Sequence, residues 1–226
     1  MRRKETDEEK MNRLREEWNF DSPNWDGISF TTQPDDHLLA DELKIQCFLR
    51  QAYDTGAYRY EDSRKYVHKR TGNRLAKFIH LIRNAEDKIE SKLSAEKMME
   101  ALNSVSYINI APPLLLGSDK ENKKSYWNDL KFYFESNNYQ RGRHCFHQMM
   151  DYKADVVIFV GTYGVFYNLL VLEEPELPLE LMECSGNKVF EWHGQLLIEI
   201  KHISSRSAVP DNILEKINKT IIGSRR

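Results

Sequence analysis

The residues best suited to chemistry stand directly after an apolar run near the C-terminus. The run covers residues 195–201, and the polar residues that follow it are His202, Ser204, Ser205 and Arg206. Aliphatic and β-branched residues in such a run predict a strand of an α/β sheet. Ligands of open α/β sheets bind outside the carboxyl ends of the strands. An imidazole, two hydroxyls and a guanidinium at this point are therefore suited to donate hydrogen bonds to a substrate.

Two further predicted strands also end in polar residues. The first covers residues 28–32 and is followed by Gln33, Pro34, Asp35 and Asp36, and the second covers residues 106–110 and contains Asn109. A carboxylate can accept a proton from water, and an amide can hold a water molecule or the edge of a base. If the strands are parallel, all three polar groups meet at one edge of the sheet.

Helical patterns separate the predicted strands. Two of them, over residues 38–53 and 73–102, precede the second strand, and a third over residues 126–150 precedes another strand at 154–161. Parallel strands require crossovers of this length. The sequence therefore predicts the α/β class, as a single three-layer domain with a small, four-stranded, mainly parallel sheet flanked by helices.

Composition restricts the class of protein. Of the 226 residues, 40% are hydrophobic and 30% are charged, and no apolar run approaches the ~20 residues of a membrane span. We expect no membrane partner. The start of the chain lacks the apolar stretch of a signal peptide, which favours a cytoplasmic location. We predict a charged helical extension with little to bury over residues 1–20, followed by the α/β domain over residues 21–226.

Cysteine spacing and net charge argue against two kinds of site. The three cysteines form no C-x-x-C pair, which disfavours a disulfide framework or a zinc site. A net charge of −2 gives no overall attraction to nucleic acid, so DNA binding requires a local basic surface. Candidates are the basic segment that ends in Lys69 and Arg70 and a second patch at residues 141–144. No metal, cofactor or obligate protein partner is implied, and we expect a monomer.

The polar strand ends resemble the motifs of the uracil-DNA glycosylase superfamily. That family has a small parallel sheet flanked by helices, a Gly-x-Asp/Asn/Glu-Pro motif after its first strand and a His-x-Ser motif after its last. His202 and Ser204 match the last motif, and Pro34 matches the proline of the first. Asn109 stands where some branches have a base-reading Asn, and Gln33 stands at the position of the water-handling residue.

The resemblance implies an enzyme that hydrolyses the N-glycosidic bond of a flipped, modified or damaged base in DNA. It implies that His202 stabilises the departing base and that Asn109 and Pro34 bind the base. The candidates for the water-handling group are Gln33, Asp35 and Asp36. The candidates for contacts with the DNA backbone are Ser204, Ser205, Arg206, Lys69 and Arg70. The abasic product would serve repair or defence against modified phage DNA.

Two other functions remain open. Glu199-Ile200-Lys201, with Asp155 upstream, resembles the metal site of PD-(D/E)xK nucleases, in which two carboxylates hold Mg²⁺ and a Lys helps to activate water. Strand alternation turns Glu199 and Lys201 to one face of the sheet. The third function is non-catalytic nucleic-acid binding on a glycosylase-like scaffold, since Gln33 cannot accept a proton as a carboxylate does.

Overall fold

A computed structural model of the protein describes residues 5–18, 43–50, 70–84, 93–112, 123–174, 176–184 and 187–200. The helices in these ranges are α1 (Asp7–Glu17), α2 (Arg70–Arg83), α3 (Ala95–Asn103), α4 (Lys123–Tyr152) and α5 (Tyr163–Glu173). The strands are β1 (Ile45–Leu49), β2 (Ser106–Asn109), β3 (Val156–Val160), β4 (Leu179–Cys184), β5 (Asn187–Trp192) and β6 (Gln195–Ile200). None of the described helices is long and apolar enough to cross a membrane.

The described strands form one mixed, six-stranded sheet in the order β2-β1-β3-β6-β5-β4. Strand β1 pairs in parallel with β2 and β3, and β3 pairs in parallel with β6, whereas β5 is antiparallel to both of its neighbours. Helices α2 and α3 pack on one face, and α1, α4 and α5 pack on the other. The α/β class is confirmed. The predicted four-stranded sheet is too small, because it lacks β1 and the β4–β5 hairpin.

Strand β1 lies where the sequence pattern predicts a helix, so the prediction for residues 38–53 is wrong at this point. Residues 45–48 are all buried, because β1 lies between two other strands and is covered by helices on both faces. A strand buried on both faces has a continuous apolar run, which periodicity cannot distinguish from a short buried helix. The strand predicted at residues 28–32 lies outside the described residues.

The β4–β5 hairpin and its link to β6 form the antiparallel part of the sheet. A two-residue turn, His193-Gly194, joins β5 to β6, and both residues have left-handed backbones with φ of 48° and 76°. Such turns suit the right-handed twist of paired strands. Gly194 stands between two apolar runs, and such a glycine is typical of a tight turn between antiparallel strands.

The other predicted elements are confirmed with small changes. Strands β2, β3 and β6 lie within the predicted segments, and α4 covers the predicted helix at residues 126–150. The single pattern over residues 73–102 corresponds to two helices, α2 and α3. Helix α4 contains a break at residues 136–139, where the backbone is not helical.

Helix α1 contributes more to the core than its charged sequence suggests. Leu14 and Trp18 are 0% and 1% exposed, and the Trp18 ring meets the Tyr133 ring of α4 edge-on at 5.3 Å. Arg13 donates to both carboxylate oxygens of Asp129, at 3.0 and 3.2 Å. Within α1 itself Leu14 is the one buried residue, and the larger buried side chain is that of Trp18, directly after the helix. The domain boundary predicted at residue 20 lies outside the described residues.

Candidate functional site

The carboxyl ends of β1, β2, β3 and β6 meet at one edge of the sheet, because these strands run parallel to one another. From β1 the sheet extends to β2 on one side and to β3 and β6 on the other. The strand order therefore reverses between β1 and β3. Open α/β sheets bind ligands outside the carboxyl ends at such a switch point, which makes this edge the candidate site.

Hydrogen bonds from side chains join the ends of β1 and β3 at the switch point. The guanidinium of Arg50, the residue after β1, donates through Nε to the Gly161 carbonyl at 3.0 Å. It also lies 4.7 Å from the centre of the Trp127 ring, an arrangement that stabilises the cation through the ring quadrupole. The Thr162 hydroxyl donates to the Phe48 carbonyl at 3.2 Å. The ends of β1 and β3 are thus held in a fixed relation.

Gly161 connects the end of β3 with the end of β6. Its backbone has φ of 62°, a left-handed conformation that glycine adopts without strain. Its N–H donates to the Ile200 carbonyl at 2.7 Å. The chain can therefore turn sharply into Thr162, which precedes helix α5.

Asn109, the predicted base-binding residue, lies at the carboxyl end of β2 and is 7% exposed. Its carbonyl accepts a hydrogen bond from Arg141 Nη2 at 2.9 Å, and the next carbonyl, that of Ile110, accepts one from Arg141 Nε at 3.3 Å. Arg141 is itself 8% exposed. This arginine of the predicted basic patch therefore holds the end of β2, a structural role that the sequence does not indicate.

A cluster of Tyr163 and Glu199 near the end of β6 is the part of the edge that the sequence patterns do not indicate. Tyr163, the first residue of α5, is 5% exposed and stacks on Phe190 with ring centres 4.6 Å apart. Its hydroxyl has no hydrogen-bond partner among the described residues. Burial raises the pKa of Tyr163, and the nearby negative charge of Glu199 raises it further.

Glu199 stands in an environment that disfavours its charge. Burial raises the pKa of its carboxyl above the ordinary value, and Glu183 and Glu180 add to this effect, whereas Lys188 opposes it. Lys188 is itself engaged by Glu180 at 2.9 Å and by Glu183 at 3.2 Å. This carboxyl therefore holds its proton more tightly than an ordinary glutamate does.

The structure does not bring together the carboxylates of the predicted nuclease site. Asp155 lies before the amino end of β3, and its carboxylate accepts a hydrogen bond from the Lys44 N–H at 2.8 Å. Glu199 lies opposite Phe159 in the sheet. Phe159 is four residues after Asp155, which separates the two backbone positions by about 13 Å along the strand. Ligands of one Mg²⁺ ion lie within ~2 Å of the metal. Asp155 and Glu199 therefore cannot share an ion.

No cluster of three or more metal-binding side chains occurs in the described part of the chain. Most residues predicted for the site lie outside that part: Gln33, Pro34, Asp35, Asp36, Lys69, Lys201, His202, Ser204, Ser205 and Arg206. Arg70 begins α2, but its side chain is not described. Of the predicted glycosylase residues, Asn109 is the one whose side chain the structure describes.

Comparison with known proteins does not identify the chain: no protein-family model matches it, and no curated protein is significantly similar to it.

Proposed function

We propose that the protein is a DNA glycosylase-like hydrolase, which removes a modified or damaged base and leaves an abasic site. The observation that supports this function best is the arrangement of the four parallel strands, whose carboxyl ends share one edge with Asn109. In the sequence, His202 follows the end of β6 by two residues. In the uracil-DNA glycosylase superfamily, which the sequence resembles, a His follows the last parallel strand, and some branches have an Asn at the end of an earlier one.

The proposed reaction breaks the bond between the sugar C1′ and the base nitrogen. The electron pair of that bond leaves with the base, and a water oxygen forms the new bond to C1′. A preorganised donor at the departing base lowers the barrier, because negative charge develops there. We assign this donor to His202 and the reading of the flipped base to Asn109. The proton lost by water passes to a carboxylate, Asp35 or Asp36, and ends on the released base, whereas Gln33 can only hold the water in position.

Strand β1 adds a second stretch of candidates for the water-handling group. The predicted motif at Gln33, Asp35 and Asp36 follows the strand predicted at residues 28–32, which lies outside the described residues. The first described strand is instead β1, and the sequence after it reads Arg50-Gln51-Ala52-Tyr53-Asp54. A carboxylate can act as a base, and so we propose Asp54 as an alternative to Asp35 and Asp36.

The decisive test is base excision in the absence of metal. The full chain is incubated in EDTA with duplexes that contain uracil or oxidised, alkylated or phage-type modified bases, and the DNA is then treated with alkali. We expect strand breaks that require alkali, because alkali cleaves abasic sites. Their absence on every substrate would contradict the proposal, and direct breaks restored by Mg²⁺ would favour a nuclease.

Single substitutions assign the roles. We expect His202→Ala to reduce the excision rate by about 10²-fold or more, as loss of a preorganised donor does. The matched control is His193→Ala, which removes an imidazole from the turn at the opposite edge of the sheet and should leave the rate unchanged. Asn109→Ala should alter the preference among bases. The variants Asp35→Asn, Asp36→Asn and Asp54→Asn identify which carboxylate handles water.

A further inference from the structure

A groove of about 1050 Å³ lies between helix α1 and the break in helix α4. Ligand pockets occupy ~300–1,000 Å³, so the groove has room for a substantial ligand. One wall is formed by a face of α1 that includes Asn12 and Arg15. The opposite face of α1 is fixed to α4 by the Arg13–Asp129 ion pair and by buried Leu14. The wall is therefore held in place independently of any ligand.

The break in α4 supplies the second wall at a cost in backbone strain. Asn137, Asn138 and Tyr139 have φ of 50°, 56° and 60°, a left-handed conformation that asparagine adopts more readily than other non-glycine residues but that costs Tyr139 about 1–3 kcal/mol. Both asparagines line the groove and are exposed. Strained residues of this kind occur preferentially where ligands bind, and here they present two amide groups to the groove.

The groove combines cationic and amide groups. Past the break, α4 contributes Gln140, Arg143 and His147, which lie on one helical face by their spacing. Glu173 accepts a hydrogen bond from Arg143 Nε at 2.7 Å, and this bond does not use the Nη atoms. Asp7 and Glu8 line the groove at the start of α1, about two helical turns before Arg15. Arg15 is therefore separated from these carboxylates along α1.

Arg141 connects the groove with the candidate site. It lines the groove, and the same guanidinium binds the carbonyls of Asn109 and Ile110 at the end of β2. Guanidinium and imidazole groups bind phosphates, whereas Asn and Gln amides match the donor and acceptor pattern of base edges. We infer that the groove binds the single-stranded part of the DNA next to the excised nucleotide. The choice of DNA rests on the proposed function.

The test measures binding of a fluorescein-labelled, single-stranded 12-nucleotide DNA of ordinary bases by fluorescence anisotropy, in EDTA and over a range of KCl concentrations. The double variant Asn137→Gly/Asn138→Gly should weaken binding about tenfold, because it removes two amides that can hydrogen-bond to base edges. Its melting temperature should be equal to or higher than that of the wild type, since glycine adopts the left-handed backbone without strain. A purely structural role for these residues would not produce this combination.

The charge contribution is tested with a matched pair of variants. Arg15→Ala should weaken binding and reduce the slope of log Kd against log[KCl] by about 1, the effect of one lost phosphate contact. Lys44→Ala removes an exposed cation at the amino edge of the sheet and should change neither. The inference is overturned if the wild type does not bind, if the double glycine variant binds normally, or if Lys44→Ala has the same effect as Arg15→Ala.

The two proposals fail separately. Groove-dependent binding without excision of any base would retain the groove and reject the glycosylase. Excision that is insensitive to the groove variants would retain the glycosylase and reject the groove.

Discussion

The half-buried carboxyl of Glu199 connects the fold to pH. Because burial raises its pKa in the folded state, the folded protein holds this proton more tightly than the unfolded chain. Stability from this group is present below the ordinary pKa of glutamate, about 4.3, and is lost as pH rises through the folded pKa. At neutral pH this group therefore contributes less stability to the fold than it does at low pH.

Glu199→Gln should for this reason stabilise the protein at neutral pH, and the gain should disappear as pH falls below about 4.3. The measurement is urea denaturation of both proteins across a pH series. Glu96→Gln, at an exposed position on α3, is the control and should give no such trend. A gain of equal size at all pH values would mean that packing, rather than charge, explains the effect.

At the scale of elements, Gly142 permits close packing inside α4 and against α5. A Cβ at this position would lie 2.8 Å from the Phe134 ring and 3.2 Å from Leu169 Cδ2. We expect Gly142→Ala to lower the free energy of unfolding by about 1–3 kcal/mol, the usual cost of overpacking. Gly164→Ala in α5 meets no atom within 4 Å and should raise it by about 0.5 kcal/mol. Thermal and chemical denaturation of the two variants measure both values.

The elements that sequence patterns predict well are those with an unambiguous period or length. Strand β3 is a buried apolar run between turn residues, and α4 is too long to be a strand. Strand β1 is ambiguous because its burial on both faces removes the alternation. The break in α4 falls at Ser136-Asn137-Asn138, residue types that favour turns and left-handed backbones, although the helical pattern continues on both sides.

The sequence predicts only part of the candidate site. The position of Asn109 at the end of a strand can be predicted, because polar residues flank the apolar run of β2. The role of Arg141 cannot be predicted, because it depends on α4 crossing the end of β2. The Tyr163–Glu199 cluster also forms only because α5, β6 and β4 meet in the folded protein. Local sequence patterns do not indicate such a meeting.

At the scale of the whole molecule, α1 is part of the core and its removal should unfold the domain. Trp18 is 1% exposed and lies in the same apolar cluster as Phe134 and Phe159. Trp18→Ala should cost about 3–5 kcal/mol of the free energy of unfolding, as large-to-small substitutions in a core do. The control is Asn12→Ala, at an exposed position of the same helix. A small effect of Trp18→Ala would show that α1 is dispensable.

The order of the strands also has a consequence for the rate at which the chain folds. Strands β4, β5 and β6 are consecutive and antiparallel, so their pairing closes only short loops. The bond between Arg50 and Gly161 joins residues 111 positions apart, and such distant contacts form slowly. We expect pulse-labelled hydrogen exchange to show protection of β5 and β6 before β1. The edge that forms the candidate site, which requires the β1–β3 pair, would then be completed among the last steps of folding.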